Sequence, residues 1–172
     1  MKSSFAKIML LTTIILMDIL GGAEVDLFVP SFPEIKSHFN VSTVWLEALL
    51  SANFIGSCIS LFFVGDLADK YGRKPIILIG LIIFIIGSSF CAFSLNYNFL
   101  LIGRFLQGFG ISAPAILCFI IIADLFPLKK QQYYIGVLNG FINVAVAGAP
   151  VIGSYIAMCF HFRGIKLLVF IT

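Results

Sequence analysis

Apolar residues in this chain fall in long unbroken runs, and the polar ones gather in short clusters between them. Residues 48–65, 75–103, 105–123 and 131–160 contain no Asp, Glu, Lys or Arg. Each run approaches or exceeds the roughly 20 residues that a helix needs to cross a bilayer. The pattern predicts spans at about 6–30, 44–64, 76–94, 99–123 and 134–159, with a sixth beginning near 165. Span 1 is the most polar, because Asp18, Glu24 and Asp26 lie in it or at its outer end. Pro30 and Pro33 mark where it stops, since proline disrupts a continuing helix. Asn40 to Thr43 offers a cap for span 2, and Pro75 suits the first position of span 3. Asn96, Tyr97 and Asn98 make a tight turn into span 4, which Asp124 to Pro127 closes. Leu167 to Thr172 are apolar but too few to finish a sixth crossing. The chain is therefore expected to be the front portion of something longer, from a truncated or interrupted reading frame.

Composition fixes the class. Hydrophobic residues make up 60% and charged residues 11%, whereas soluble domains carry about 25% charged residues. The expectation is an all-α integral membrane protein with five complete spans and the start of a sixth. A net charge of +3 is modest and gives no reason to expect a nucleic-acid partner. Its distribution is more telling. With the N-terminus in the cytoplasm, Lys2, Lys7, Lys70, Arg73, Lys74, Lys129 and Lys130 lie inside, and only Lys36, Arg163 and Lys166 outside. That arrangement follows the positive-inside bias, and the reverse orientation would invert it. Lys2 and Lys7 before an apolar run resemble a signal peptide, but Asp18 interrupts that run and an uncleaved first helix is the simpler reading.

Chemistry-bearing residues are few. Cys58, Cys91, Cys118 and Cys159 all sit in apolar runs without CxxC spacing, so neither metal nor disulfide is expected. His38 and His161 fall near expected outer loops and read as solvated. There is no Ser/His/Asp arrangement, nucleotide loop or metal-ligand cluster, and no enzyme or cofactor is expected. The glycines of 148–153 lie inside a span, where they cannot cradle phosphate.

The densest charge lies between spans 2 and 3, where residues 65–75 hold five of the nineteen Asp, Glu, Lys and Arg residues. Each would cost roughly 2.5–3.5 kcal/mol at a membrane helix centre, so this loop lies outside the hydrocarbon. Asp69 and Arg73 are four apart and can pair on a helical turn, and Arg73 is also placed to reach Asp124 at the inner end of span 4. Gly65 is expected to let helices approach closely. The bland alternative is that Lys70, Arg73 and Lys74 only set topology. The order Gly65-x-Leu67-Ala68-Asp69-Lys70-x-Gly72-Arg73-Lys74 resembles the loop between helices 2 and 3 of major facilitator transporters. That resemblance implies a latch closing the outward-facing state, built from Gly65, Asp69, Gly72 and Arg73.

Arg104 is the deep charge. An arginine inside a span needs a partner or a watery cavity and is a functional candidate by default, against the alternative of snorkelling to the outer interface. Arg104-x-x-Gln107-Gly108-x-Gly110 resembles the fourth-helix motif of the same family, which implies proton coupling. The opposite charges expected for it are Asp18, near mid-membrane, and Asp26, two turns further out. Glu24 and Glu34 read as outer-surface charges. Asp26-Leu27-Phe28-Val29-Pro30-Ser31-Phe32-Pro33 resembles the end of span 1 in the Bcr/CflA (bicyclomycin-resistance-like) drug exporters, and Asp26 is the matching acid. Asp18 rests on membrane depth alone.

Span 5 carries small residues that partly match the antiporter motif of these exporters. Gly136, Pro150 and Gly153 keep the family residue, and Ala145, Ala149 and Ser154 replace glycines. Generic small-residue packing is the alternative. Phe162-Arg163 stands where the family has Trp-Arg before span 6. The resemblance covers essentially the whole chain. It implies the N-terminal bundle of a drug–proton antiporter in a bacterial inner membrane, with small-molecule substrate, protons and lipid as its partners. Asn139, Phe141 and Asn143 are the candidate cavity residues. A metabolite transporter is the runner-up. A third reading is an inert or interaction-only fragment, able to work only with a separately encoded second half.

Overall fold

The computed structural model describes the backbone of residues 2–171 and the side chains of residues 11–155. Helix α1 runs Lys2–Phe28 and passes through a 3-10 turn, Val29–Ser31, into a short α2, Phe32–Phe39. Pro30 and Pro33 sit in the first turns of those two elements, where a missing N–H costs nothing. Asn40 ends α2 in the left-handed region (φ 50°), a conformation asparagine tolerates. Then follow α3, Thr43–Tyr71; α4, Arg73–Ala92; α5, Tyr97–Leu125; and α6, Leu128–Ile171.

Two boundaries differ from the hydropathy reading. Residues 65–71, expected as loop, continue α3 as helix, because Asp66, Leu67, Ala68, Asp69 and Lys70 are compatible with helix outside lipid as well as within it. The chain leaves helix only at Gly72, whose φ of 92° suits glycine alone. Arg73 then opens α4 two residues ahead of Pro75. The second difference is at the far end. The expected break between a span ending at 159 and another starting near 165 is absent, and α6 is one helix of 44 residues. A lone glycine such as Gly164 costs a helix only about 1 kcal/mol and does not stop it. The side chains of Lys2, Lys7, Cys159, His161, Phe162, Arg163 and Lys166 lie outside the described range.

Four helices are long and apolar enough to cross a membrane among the described residues: α3, α4, α5 and α6 over Leu128–Tyr155. The described part of α1 holds three carboxylates close together, at 18, 24 and 26, whereas the three of α3, at 47, 66 and 69, lie towards its ends. α5 is the core of the bundle. Of its apolar span 56% is buried, against 11% for α6, so α6 is peripheral and packs chiefly along α1.

Lipid provides no hydrophobic drive between helices, so close backbone approach has to hold them. Glycines supply it along α5. A Cβ added at Gly108 would collide with the Asn53 carbonyl oxygen of α3, and one at Gly56 with the Phe105 carbonyl oxygen of α5. One at Gly87 would stand 2.7 Å from the Gln107 nitrogen, and one at Gly80 2.7 Å from the Ala113 Cβ. At the end carrying α2 and the α4–α5 turn (the Asn40 end), Tyr97 Oη donates to the Trp45 carbonyl oxygen at 2.6 Å, their rings edge to face at 5.5 Å. Such rings suit a membrane–water interface. At the other end (the Gly72 end), Gln131 donates to the Ala123 and Phe126 carbonyl oxygens at 2.8 and 2.7 Å, capping α5.

Not every glycine does this work. Gly65, expected to bring helices together, has no atom within 4 Å of an added Cβ, and neither have Gly136, Gly140 and Gly148. Gly108→Val should therefore lower stability by about 1–3 kcal/mol through overpacking. Gly136→Ala should be neutral or stabilising by up to about 1 kcal/mol, as alanine favours helix. Thermal unfolding of the two purified variants in detergent measures the contrast.

Candidate functional site

Four helices bring polar side chains to one level of the bundle. Arg104 on α5 is fully buried, with 0% of its side chain exposed, and its Nη1 donates to Glu24 Oε1 on α1 at 3.1 Å. Glu24 is 1% exposed. The same Nη1 donates to Gln107 Oε1 at 2.9 Å. Asn53 on α3 donates through Nδ2 to Glu24 Oε1 at 2.8 Å and to the Arg104 carbonyl oxygen at 3.3 Å. Gln107 Nε2 in turn donates to Ser88 Oγ on α4 at 2.8 Å. The face of Phe28 covers the guanidinium, its ring centre 3.9 Å from Cζ. Glu24 Oε2 and Arg104 Nε and Nη2 have no hydrogen-bond partner.

This corrects the expected partner of Arg104. Glu24, read as a surface charge, holds the arginine, and Asp26 does not. Consecutive helical residues turn by about 100°, so positions 24 and 26 point roughly 200° apart and only one can face α5. Glu24 and Phe28 are four apart and share a face, and both meet Arg104. Asp26 is half-buried on another side of α1. Arg104 does not snorkel, since its head is as buried as its stem.

Asp18 is also deep, 2% exposed, but at a separate level. Cys118 Sγ donates to its Oδ1 at 3.8 Å, and its Oδ2 has no partner. Six residues of helix, about 9 Å, separate it from Glu24. Cys118 itself packs in an apolar cluster with Ile14, Ile122 and Leu138.

At the Gly72 end, Arg73 Nη2 lies 2.7 Å from Asp124 Oδ2 and 3.7 Å from Asp69 Oδ1. Both expected pairs form, and the one to Asp124 is the closer. It joins α4 to α5, whereas the one to Asp69 is an i,i+4 contact across Gly72. Lys70 lies over the Tyr71 ring at 5.3 Å.

The span-5 residues divide. Ala149 is buried, and an added Cβ at Gly153 would stand 2.9 Å from the Leu27 carbonyl oxygen, so Gly153 seats α6 on α1. Ala145 is half-buried, while Gly136 and Pro150 are exposed. Asn139, Phe141 and Asn143 are exposed on α6 and make none of the Arg104 contacts; Asn143 Nδ2 donates to the Asn139 carbonyl oxygen at 2.7 Å. Among the described residues, no group of three or more His, Cys, Asp and Glu could hold a metal ion.

Glu24→Ala should destabilise the bundle by about 3–5 kcal/mol, because it leaves the Arg104 charge buried without its counter-ion. Asp26→Ala should change stability by less than about 1 kcal/mol. Thermal or denaturant unfolding in matched detergent compares the two; equal losses would mean that Asp26 shares the arginine.

Known proteins place this sequence in a lineage. The family model described as Major Facilitator Superfamily matches residues 14–172. "Multidrug resistance protein MdtL" of Citrobacter koseri is 30% identical over 147 residues, covering 86% of this chain and 38% of that protein. The Escherichia coli O139:H28 protein of the same name is 31% identical over the same coverage. "Uncharacterized MFS-type transporter YdgK" of Bacillus subtilis is 34% identical over 143 residues, 83% of this chain and 36% of that protein. The chain thus spans little more than a third of the length of these relatives. A match over almost all of its residues, on helices apolar enough to lie in lipid, makes this multi-pass α-helical membrane chain a member of the Major Facilitator Superfamily.

Proposed function

We propose that this chain is the N-terminal bundle of a Bcr/CflA-type drug–proton antiporter, in which proton entry drives drug exit. The observation that carries the reading is the buried Glu24–Arg104 pair. Relatives named as multidrug resistance proteins support the substrate class. Lys70, Lys74, Lys129 and Lys130 at the Gly72 end favour a cytoplasmic N-terminus in a bacterial inner membrane.

The pair supplies a mechanism. With Glu24 ionised, the two charges compensate each other and hold α1 to α5. A proton arriving at Glu24 removes the compensation and leaves a lone buried cation, a state several kcal/mol less favourable. The bundle then favours a conformation in which Arg104 finds water or another acid, and the proton has biased the equilibrium between conformers. Asp26 and Asp18, on the same helix, are the further acids of the proton route. Asp69, Gly72, Arg73 and Asp124 act as the latch at the cytoplasmic end. Two bundles rocking about a central site complete the cycle, and a second bundle is the natural partner of this one. Asn139, Phe141 and Asn143 on α6 are the cavity residues of the complete assembly.

The test is accumulation of a fluorescent cationic dye inside inverted vesicles holding the chain joined to a second six-helix half. Dye movement driven by an imposed pH gradient is expected, and Arg104→Ala should abolish it, a loss of at least about tenfold. Pumping by that variant at the wild-type rate sinks the proton assignment. Uptake of one metabolite without dye movement would favour a metabolite carrier. Asp69→Asn should slow the cycle while leaving dye affinity within about twofold; equal loss of both would remove the latch role.

A further inference from the structure

The polar level described above has an apolar level directly beside it, on the side of the Asn40 end. On α1, Phe28 follows Glu24 by four residues. On α3, Leu49 precedes Asn53 by four, on α4 Cys91 follows Ser88 by three, and on α5 Leu100 precedes Arg104 by four. Successive helices run in opposite directions, so all four offsets point the same way, by about one turn or 6 Å. Phe28, Leu49, Cys91 and Leu100 belong to one buried cluster with Ile35 of α2 and Leu46 of α3. Phe32 meets Phe28 edge to face at 5.7 Å.

We propose that Phe28 is a positioning residue with two tasks: its ring face holds the Arg104 guanidinium on Glu24, and its edge closes the pair toward the Asn40 end. Arg104 Nε and Nη2 have no hydrogen-bond partner, and the Phe28 ring centre lies 3.9 Å from Cζ, over the cation. A desolvated cation over an aromatic face gains more than an exposed one does. Phe28 is also the last residue of α1 before the 3-10 turn containing Pro30. Because Glu24 and Phe28 share one face of α1, a rotation of this helix lifts acid and ring off Arg104 together. The seal and the ion pair therefore open as one event. This role is independent of what the protein carries.

Cys91 is a native reporter. It is 4% exposed in the apolar level, and its Sγ contacts Gln107 Oε1 at 3.5 Å. Cys118, in a different cluster, is the internal control. Membranes containing the whole chain and open on both faces are treated with N-ethylmaleimide, and alkylation of each cysteine is read by peptide mass spectrometry. Phe28→Ala should speed Cys91 alkylation about tenfold or more. Phe28→Leu, apolar but without a ring face, should do the same, and Phe28→Tyr should restore protection, with Cys118 unchanged throughout. If Phe28→Leu protects as well as phenylalanine, the ring is only an apolar stopper and the positioning role is overturned. Unchanged Cys91 in Phe28→Ala overturns both tasks, as does a rise at Cys118 equal to that at Cys91, which would mean loosening of the whole bundle.

Discussion

A positive charge is buried among helices built for lipid, and most of the bundle answers to that fact. Arg104 cannot reach water, so α1 presents Glu24, α3 presents Asn53, and Gln107 passes the hydrogen bonding on to Ser88 of α4. Four helices are tied at one depth by interactions that depend on each other. An isolated ion pair at this depth would repay its desolvation poorly. The amides around it improve the balance, and two of the three guanidinium nitrogens remain without hydrogen bonds. An arrangement that strains to satisfy a charge is poised to change when the charge count changes.

The glycines make that arrangement possible. Asn53 can donate to Glu24 because Gly108 lets the backbones of α3 and α5 nearly touch at the same level. Small residues and polar network are thus one design: without close approach the side chains would not span the gap. Where no charge has to be satisfied, as along the exposed side of α6, the glycines have open space beside them.

Much of this was legible in the sequence. Hydrocarbon imposes length and apolarity on any helix that crosses it, so α4, α5 and the start of α3 lie within a few residues of the expected spans. The Arg73 pairs follow from i,i+4 spacing and from two helix ends meeting at one surface. Misreadings arose where a rule for lipid was applied outside it. Charge at 66–70 excludes the membrane interior but not helix, so α3 continues to Tyr71. The acid facing Arg104 was missed for another reason. Motif likeness pointed to Asp26, whereas burial marks Glu24: buried positions from α1 through the 3-10 turn into α2 fall at 14, 18, 23, 24, 28, 31 and 35, a stripe that passes over 26. No pattern in one chain shows which residue of α5 that stripe will meet.

Gly72 has a mechanical consequence. It is the single non-helical residue between α3 and α4, two rods of 29 and 20 residues. So short a joint keeps the two rod ends side by side, and the salt link from Arg73 to Asp124 ties the start of α4 to the end of α5. These three rods are thereby linked at one face of the bundle, and α5 packs most heavily against α3 and α4. The surface available for sliding is the seam between α1 and α5, and the Glu24–Arg104 contact is the bolt across it.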